Sequence, residues 1–525
     1  MAHLRYAIQY RQALRRGWVL IFLLWISGCA APGPRSNAPP SPPLLPAPSG
    51  PLAEWSHEQR IKEPASQAHS GFQLLFTGAD AFAARIESAR LANQSIQVQY
   101  YIWQDDTAGR LLLKELLQAA DRGVQVRLLL DDMDVRGSDT TLAAADTHNN
   151  LEVRLFNPFR ARWGFLRVGT EFLLRGSALN HRMHNKAWIV DGHIAIVGGR
   201  NIGDNYFDAG NDFNFADLDV AIIGLAAEQA SYAFNAYWNS PLALPITELR
   251  RGKLPQAKLV QRRQELRHWL ETHPPHPLTE SAYQPTGTLL QADAYYWSDT
   301  VELVADDPNK ALGRKDAEPG VLEAMSERFA AAKEEVFIIS PYFVPGREGT
   351  EGLVALAQAG IEVTVLTNSL AATDVAITHS GYARRRRTLL AAGVNLFELS
   401  PMAFRAAGES VESLGLGSSN ASLHSKVVLF DRREAFIGSF NLDPRSAHIN
   451  TELGIFVANA DLAEQLAEVY RFATQAPLSY RPQLNAQGQL RWVSGDSVYT
   501  REPGASIWRR GLALFVRILP IESQL

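Results

Sequence analysis

HNKAWIVD (residues 184–191) and HSKVVLFD (residues 424–431) carry the same spaced pattern in two distant parts of one chain. Each stretch has a His, a Lys two positions later and an Asp five positions after the Lys. Each is followed at the same distance by a Gly-containing turn that ends in Asn, GGRN at residues 198–201 and GSFN at residues 438–441. One such motif can arise by chance, but two copies with the same following turn indicate an internal duplication.

The sequence around the two motifs repeats as well. SIQVQYYIW (residues 95–103) and EVFIISPYF (residues 335–343) are β-rich apolar runs typical of buried strands. Each is followed by an amphipathic helix pattern, a Gly (Gly123 and Gly360) and a second apolar run. Two β-α-β-α units predict an α/β fold with mostly parallel sheets. We expect two tandem α-β-α sandwich lobes related by pseudo-two-fold symmetry, with one shared active site.

Length and composition fit this organisation. The chain has 525 residues, of which 46% are hydrophobic, and this is more than one core requires. A helix pattern, QAKLVQRRQELRHWLETH, lies between the halves. The predicted segments are an export signal (1–29), a Pro-rich tether (30–66), a first lobe (67–240), an inter-lobe connection (241–295), a second lobe (296–480) and a C-terminal tail (481–525).

The N-terminus has the pattern of an export signal. Several Arg residues precede an apolar run, residues 18–26, that is shorter than a spanning helix needs. Small residues then lead to Cys29, the single Cys of the chain. This pattern resembles a bacterial lipoprotein signal, which predicts lipid anchoring at Cys29 and a site facing the periplasm. Ala30 favours the outer membrane over the inner one by the same resemblance, and an uncleaved signal anchor is the alternative.

Three further segments bear on the membrane question. The Pro-rich residues 31–51 predict an extended spacer, with ordered structure beginning near His69. The tail sequence SIWRRGLALFVRILPI mixes Arg with large apolar residues, so it either docks on a lobe or lies in a membrane interface. The Arg run at residues 384–387 is read as a solvated helix face, with contact to anionic head groups as the alternative.

The motif spacing predicts which side chains share a face. We read both motifs as strands, so the His and Lys, two residues apart, point to the same side. The Asp lies at odd spacing and points the other way, toward a structural contact. The turns that follow bring backbone N–H groups and Asn close to an anion.

Two His, two Lys and two Asn in one pocket fit attack on a phosphodiester. One His attacks phosphorus, and the other protonates the leaving alkoxide and then activates the incoming hydroxyl. Lys and Asn stabilise the non-bridging oxygens, so no metal or other cofactor is expected. The predicted catalytic set is His184, Lys186, Asp191, Asn201, His424, Lys426, Asp431 and Asn441. The predicted substrate-binding set is Gly199, Ser439, Asp217 and Glu452, and the last two are also candidates to orient the His rings.

These motifs resemble the paired HKD motifs of the phospholipase D superfamily. The resemblance runs from about Gly71 to about Ala473. QYYIWQDDTAG, RMHNKAWIVD, GGRNIGDNYF and ADLDV are closely similar to the bacterial cardiolipin synthase C type. It implies the phospholipase D fold and transfer of a phosphatidyl group to phosphatidylglycerol, with His184 as nucleophile and His424 as acid/base. The implied partners are membrane phospholipids, with phosphatidylglycerol as acceptor and either phosphatidylglycerol or phosphatidylethanolamine as donor.

Other functions remain open at this point. Water as acceptor would give a phospholipase D, and the same motifs also serve nucleases. The formal net charge of -4 argues against a nucleic-acid partner, which requires a basic track. A binding protein with a relic site is the alternative outside enzymes, although no His or Lys of either motif is missing. The sequence leaves the oligomeric state open.

Overall fold

The computed structural model describes residue 36 and residues 38–62, 69–162, 164–211, 213–250, 252–273, 276–283, 287–313, 318–401, 421–519 and 521–525. The predicted signal, including Cys29, lies outside the described residues. Among the described residues, every helix is either too short or too polar to span a bilayer.

The first half of the chain builds one mixed sheet covered by helices. Its strands are β1 (Ser70–Leu75), β2 (Ser95–Tyr100), β3 (Gln125–Asp131), β4 (Leu151–Phe156), β5 (Ala187–Val190), β6 (Ile194–Gly198), β7 (Asn214–Ala216), β8 (Asp219–Gly224), β9 (Ala243–Pro245) and β10 (Tyr296–Ser298). Its helices are α1 (Pro51–Lys62), α2 (Gly78–Leu91), α3 (Thr107–Asp121), α4 (Asp132–Val135), α5 (Asp139–Ala145), α6 (Phe165–Asn180), α7 (Leu225–Trp238), α8 (Ile246–Arg250), α9 (Ala257–Thr272) and α10 (Pro277–Tyr283). The strand order in the sheet is β10-β1-β8-β6-β5-β2-β3-β4-β9, and β7 lies outside this sheet.

The second half repeats the arrangement. Its strands are β11 (Val301–Ala305), β12 (Glu335–Ile339), β13 (Glu362–Asn368), β14 (Asn395–Leu399), β15 (Ala421–Leu423), β16 (Val427–Phe430), β17 (Glu434–Gly438), β18 (Leu453–Ala458), β19 (Ser479–Leu484), β20 (Leu490–Ser494) and β21 (Ser497–Tyr499). Its helices are α11 (Val321–Ala331), α12 (Gly346–Gln358), α13 (Ala376–Ala391), α14 (Pro444–His448), α15 (Ala460–Ala473) and α16 (Ile507–Arg517). The strand order is β11-β18-β17-β16-β12-β13-β14-β19-β20-β21. The predicted duplication of an α/β lobe is confirmed.

The expectation of mostly parallel sheets is wrong. Within the two large sheets, parallel pairing is confined to β2-β3-β4 and, in the second lobe, β12-β13-β14. The motif strands pair antiparallel with β2 and β12, and each returns through a tight turn into an antiparallel neighbour. A short hairpin connection permits only antiparallel pairing, so the close spacing of β5 to β6 and of β16 to β17 determines this geometry.

The lobes are joined by backbone pairing and by a common core. β15 of the second lobe pairs in parallel with β7 of the first. Met183 and Thr451 form an isolated bridge between the lobes. One buried apolar cluster combines residues from both sheets, among them Ile189, Ile222, Leu429 and Ile455. The motif strands of the two halves are therefore held against each other in one unit.

The segment predicted as a tether is partly packed on the first lobe. Ala47 donates its backbone N–H to the carbonyl of Asp191 at 2.8 Å, and the Ser41 N–H donates to Asn239 Oδ1 at 2.8 Å. α1 follows at once. The expectation that ordered structure begins near His69 is wrong, because hydrogen bonds to the first lobe hold this Pro-rich segment in place.

Two predicted boundaries differ from the observed sheets. β9 and β10, from the predicted connection and the predicted start of the second lobe, both pair in the first sheet. β19–β21 extend the second sheet well past residue 480. The helix predicted between the lobes is α9, and most of its side chains are exposed.

The C-terminal tail docks on the second lobe through the Arg run. Arg384 donates to the carbonyl of Leu519 at 2.6 Å, and Arg385 forms an ion pair with Glu522 at 2.8 Å. Arg386 is buried against Glu398 and Glu502. The reading of this run as a solvated helix face is therefore wrong, since three of these Arg side chains bind the tail or the residues beneath it.

Candidate active site

Each motif His is hydrogen-bonded to an acid from the opposite lobe. His184 Nδ1 lies 2.8 Å from Glu452 Oε2, and His424 Nδ1 lies 2.5 Å from Asp217 Oδ2. The backbone repeats the crossing, because His184 N–H donates to the carbonyl of Thr451 and His424 N–H to that of Ala216. Asp217 belongs to the first lobe and Glu452 to the second, so neither lobe contains a complete His–acid pair. The site exists only where the lobes meet.

The two Lys side chains fold back toward the His that precedes them. Lys186 Nζ donates to the backbone carbonyl of His184 at 2.6 Å. Lys426 Nζ donates to the carbonyl of His424 and lies 3.1 Å from Nδ1 and 3.3 Å from Nε2 of the ring. Both Lys precede their strands, which begin at Ala187 and Val427, so the motif side chains extend from the strand ends and not from within the strands.

Burial sets the protonation of this site. It lowers the pKa of His184 to about 4, with Glu452 opposing the shift and Lys186 adding to it. Burial likewise lowers the pKa of Lys186 to about 7. The His424 pKa is lowered by burial and by Lys426, against the opposing effect of Asp217. Without an anion, both imidazoles are therefore neutral at neutral pH and retain a lone pair on Nε2.

The acids remain charged despite their burial. Burial by itself would raise the pKa of Glu452, but His184 and Lys186 bring it below its ordinary value. The pKa of Asp217 is lowered in the same way by His424 and Lys426. Each His is thus fixed with Nδ1–H toward a carboxylate, which leaves Nε2 as the ring nitrogen that carries the lone pair.

The two motif Asp residues lie outside the site. Asp191 accepts the backbone N–H groups of Asn93, Gln94 and Ser95 at 2.7–2.8 Å. Asp431 accepts those of residues 333–335 at 2.8–3.1 Å. Their inclusion in the catalytic set is corrected to a structural role, which their odd spacing indicated. Each carboxylate caps the start of the central strand beside the motif strand.

The turn residues predicted to bind substrate surround the two acids. A Cβ on Gly199 would lie 2.1 Å from Asp217 Oδ1, so only Gly fits there. The equivalent Ser439 instead uses its hydroxyl as a donor to Glu452 Oε2. Glu452 therefore holds two side-chain donors on one oxygen, whereas Asp217 Oδ1 accepts the Leu218 N–H at 2.8 Å. The difference between the two turns is matched to the different acids behind them.

The two Asn residues are not equivalent. Asn201 Oδ1 accepts the backbone N–H of Ile102 at 3.2 Å. Asn441 is buried, and its Oδ1 has no hydrogen-bond partner among the described residues. Rotation of this amide can turn its NH₂ group, the donor end, toward a bound anionic oxygen. Of the two, Asn441 is free to change its hydrogen bonding when a ligand enters.

The predicted catalytic and substrate-binding sets do not include the aromatic walls of the site. The ring of Tyr101 contacts His184 edge-on, with centroids 5.1 Å apart, and Tyr342 contacts His424 at 6.2 Å. Tyr206 and Phe215 also contact His424. Tyr101 and Tyr342 follow β2 and β12, and a comparison of the two halves beyond the strands would have found this pair. Burial raises the pKa of Tyr101 to about 12, so it stays neutral.

Two neutral imidazoles, two buried Lys amines and an aromatic wall therefore meet at the junction of the two lobes. Lobes of this kind that share paired His–Lys motifs define an enzyme of the phospholipase D superfamily.

The comparisons with known proteins give the same class. Residues 83–238 and 325–471 match the family model described as "Cardiolipin synthase, PLD-like domain". The chain is 39% identical over 474 residues to "Cardiolipin synthase C" of Escherichia coli (strain K12), covering 87% of this chain and 98% of that protein. It is 25% identical over 403 residues to a "Cardiolipin synthase" of Staphylococcus aureus (strain Mu50 / ATCC 700699), and this match covers 75% of this chain and 65% of that protein.

The fold is shared with a solved structure, the phosphatidylserine synthase of Haemophilus influenzae Rd KW20. The TM-score is 0.56 at 14% sequence identity, covering 89% of this chain and 100% of that one. The protein belongs to the cardiolipin synthase family of phospholipase D-like enzymes, as the sequence motifs predicted.

Proposed function

We propose that this enzyme is a phosphatidyltransferase that makes cardiolipin by moving a phosphatidyl group onto phosphatidylglycerol. The single observation that carries the proposal is the crossed pairing of His184 with Glu452 and of His424 with Asp217, at 2.8 and 2.5 Å. It supports two oriented imidazoles at one phosphorus. The relatives named as cardiolipin synthases support the choice of substrate.

In the first step, His184 Nε2 attacks the phosphorus of a donor phospholipid. A P–N bond forms and the bond from phosphorus to the head-group oxygen breaks. The proton on His424 Nε2 passes to that oxygen, which leaves as an alcohol, glycerol when the donor is phosphatidylglycerol. We assign attack to His184 because the family resemblance implies it.

His424 must carry a proton for this step, although burial lowers its pKa in the empty site. The donor supplies the correction, because a phosphodiester anion beside the ring favours the imidazolium form. Lys186, whose pKa lies at about 7, is held charged by the same anion. Substrate binding therefore sets the protonation state that the chemistry needs.

In the second step, the acceptor hydroxyl gives its proton to His424 Nε2. Its oxygen forms the new bond to phosphorus, and the P–N bond to His184 breaks. Asp217 and Glu452 stabilise whichever ring is cationic. Lys186, Lys426 and Asn441 stabilise the non-bridging oxygens, and no step requires a metal.

The acceptor separates a synthase from a hydrolase. The rings of Tyr101, Tyr206, Phe215 and Tyr342 contact the rings of the two His, so apolar surface borders the reacting atoms. We propose that this wall favours a second lipid over water. We also propose that Cys29 is lipidated and that the site faces the periplasm.

The test is lipid turnover by the purified full chain, followed by mass spectrometry. Vesicles of phosphatidylglycerol are supplied with and without phosphatidylethanolamine, and products are compared for wild type and His184→Ala. The matched control is His148→Ala, because His148 pairs with Asp121 at the surface of the first lobe. We expect cardiolipin from wild type and from the control, and none from His184→Ala.

Two results would redirect the proposal. Phosphatidic acid as the sole product would identify a hydrolase. Cleavage of DNA with inert lipids would identify a nuclease. Release of glycerol or of ethanolamine identifies the donor.

A further inference from the structure

Two amphipathic helices, one from each lobe, leave large apolar side chains uncovered. On α6, Leu166 and Leu173 are 81% and 69% exposed. On α16, Trp508 and Leu514 are 88% and 66% exposed. Exposed apolar surface of this size, carried by two separate helices, indicates an interaction site.

Both helices are fixed with these faces turned outward. Arg509 of α16 donates to the backbone carbonyl of Ala371 at 2.8 Å, and Arg510 donates to that of Glu502 at 3.0 Å. On α6, the buried Leu179 and Arg175 form the inner side, and Glu171 pairs with Arg175. The uncovered side chains are therefore not the inner faces of displaced helices.

The end of α6 is hydrogen-bonded to the C-terminal segment that follows α16 and to the second lobe. Asn180, the last residue of α6, donates through Nδ2 to Gln524 Oε1 at 3.0 Å, just beyond α16. Arg445 donates to Asn180 Oδ1 at 2.8 Å. His184 follows α6 closely in sequence, and its acceptor Glu452 follows Arg445. The C-terminal end of α6 is thus joined to the segments that carry His184 and Glu452.

The charge at these helices is positive. α16 contains Arg509, Arg510 and Arg517 and no acidic residue. Beside α6, a cavity of about 380 Å³ is lined by Arg160, Arg162, Arg167 and Arg250, with Asp139 as its acidic residue. Asp139 is bound to Arg162. The backbone N–H of Arg160 donates to Glu171 at 2.9 Å, but within the described ranges the side chains of Arg160, Arg167 and Arg250 form no ion pair, and Arg250 Nη1 is buried without a hydrogen bond.

We propose that α6 and α16 are paired docking helices that insert their apolar side chains into the interface of a bilayer containing anionic lipids. The basic cavity takes an anionic head group, while Trp508 and Leu173 enter the acyl boundary. Docking at both helices would hold the His184–His424 site at the lipid surface. This contact is separate from any anchor at Cys29, and it does not depend on which lipid reaction the site performs.

The test places a fluorescent label at each helix in the full chain. Cys29→Ser removes the single native Cys, and Leu173→Cys or Leu514→Cys then supplies one attachment point for an environment-sensitive dye. The matched control is Val260→Cys, which is also exposed but lies on α9. The residual apolar N-terminal run is present in all three chains, so the control reports any effect of that run.

On vesicles containing phosphatidylglycerol, we expect a blue shift and a several-fold gain in emission at residues 173 and 514, and neither at residue 260. On neutral phosphatidylcholine vesicles the gain should be much smaller. The labels report contact and not turnover, so they can also be read in the inactive His184→Ala chain.

Three results would overturn the proposal. The first is no change at residues 173 and 514 when the chain is bound to anionic vesicles. The second is an equal change on neutral vesicles. The third is a change that needs no lipid and grows with protein concentration, which would show that a second copy covers these helices.

Discussion

Replacing Glu452 with Gln removes the charge that faces His184 while keeping the shape of the side chain. Glu452 is fully buried, and its Oε2 lies 2.8 Å from His184 Nδ1. When phosphorus bonds to Nε2, the ring becomes cationic and the carboxylate stabilises it. The variant should therefore slow formation of the covalent intermediate.

The size of the effect follows from the geometry. A ring charge about 4 Å from the carboxylate interacts by about 4 kcal/mol at an effective dielectric constant of about 20. The Gln amide keeps a hydrogen bond to Nδ1–H, so a net loss of about 3 kcal/mol remains, which is roughly a hundredfold in rate. Ser439→Ala keeps the charge and removes one donor to Glu452, so it should cost only about 1 kcal/mol, or roughly fivefold.

The assay is rapid mixing with a fluorescent phosphatidylglycerol, measuring the first turnover of head-group release. Melting curves of both variants check that the fold is intact. A Glu452→Gln enzyme that folds normally and reacts within about fivefold of wild type would refute the reasoning, because a cationic ring at His184 is worth more than that. A larger effect of Ser439→Ala than of Glu452→Gln would refute it equally.

Three further predictions follow from the same contacts. The pKa of Lys186 at about 7 predicts that kcat/KM falls as pH rises above 7, because Lys186 of the free enzyme then loses its charge. At saturating lipid, kcat should fall only at higher pH, because the bound anion keeps Lys186 charged. A kcat/KM that stays flat up to pH 9 would contradict this prediction. Gly199→Ala should abolish turnover, since the new Cβ would lie 2.1 Å from Asp217 Oδ1. The control is Gly123→Ala, at a turn position that has open space and a φ of +99°. This control should lower the melting temperature and leave kcat near that of wild type. Asp191→Ala leaves three backbone N–H groups without their acceptor and should destabilise the fold by about 2–3 kcal/mol, seen as a lower urea midpoint; an unchanged midpoint would argue against its structural role.

The duplication, and the motif residues that come together between the lobes, could be predicted because short local patterns in the sequence encode them. His184 and Lys186 belong to one short motif, and the second copy at His424 and Lys426 makes chance improbable. The apolar runs at β2 and β12 were recognisable by composition alone. The acids Asp217 and Glu452 were found by their matching positions in the two halves.

The crossed pairing could not be predicted, because it depends on contacts between residues far apart in the chain. Nothing near His184 in the sequence indicates that its acceptor is Glu452 and not Asp217. The antiparallel motif strands were missed for a related reason, since periodicity reports burial and not strand direction. The Pro-rich segment was misjudged because composition cannot show that Ala47 bonds to Asp191.

The predicted solvent exposure of the Arg run on α13 was wrong for the same reason. Its residues look like a solvated face in sequence, yet Arg386 is buried between Glu398 and Glu502. A charge run is exposed only when no partner arrives from elsewhere, and here the tail supplies one at Glu502. Tertiary partners, and not local pattern, decided each of these failures.

The most direct test of covalent transfer by two His is the mass of the peptide that contains His184 after rapid quenching at alkaline pH, where a P–N bond to His is preserved. In Asp217→Asn, which weakens the base at His424 and slows transfer to the acceptor, we predict a phosphatidyl adduct on the His184 peptide and none on the His424 peptide. An adduct on His424 alone would exchange the two roles. Continued cardiolipin formation with no adduct on either His would contradict the mechanism.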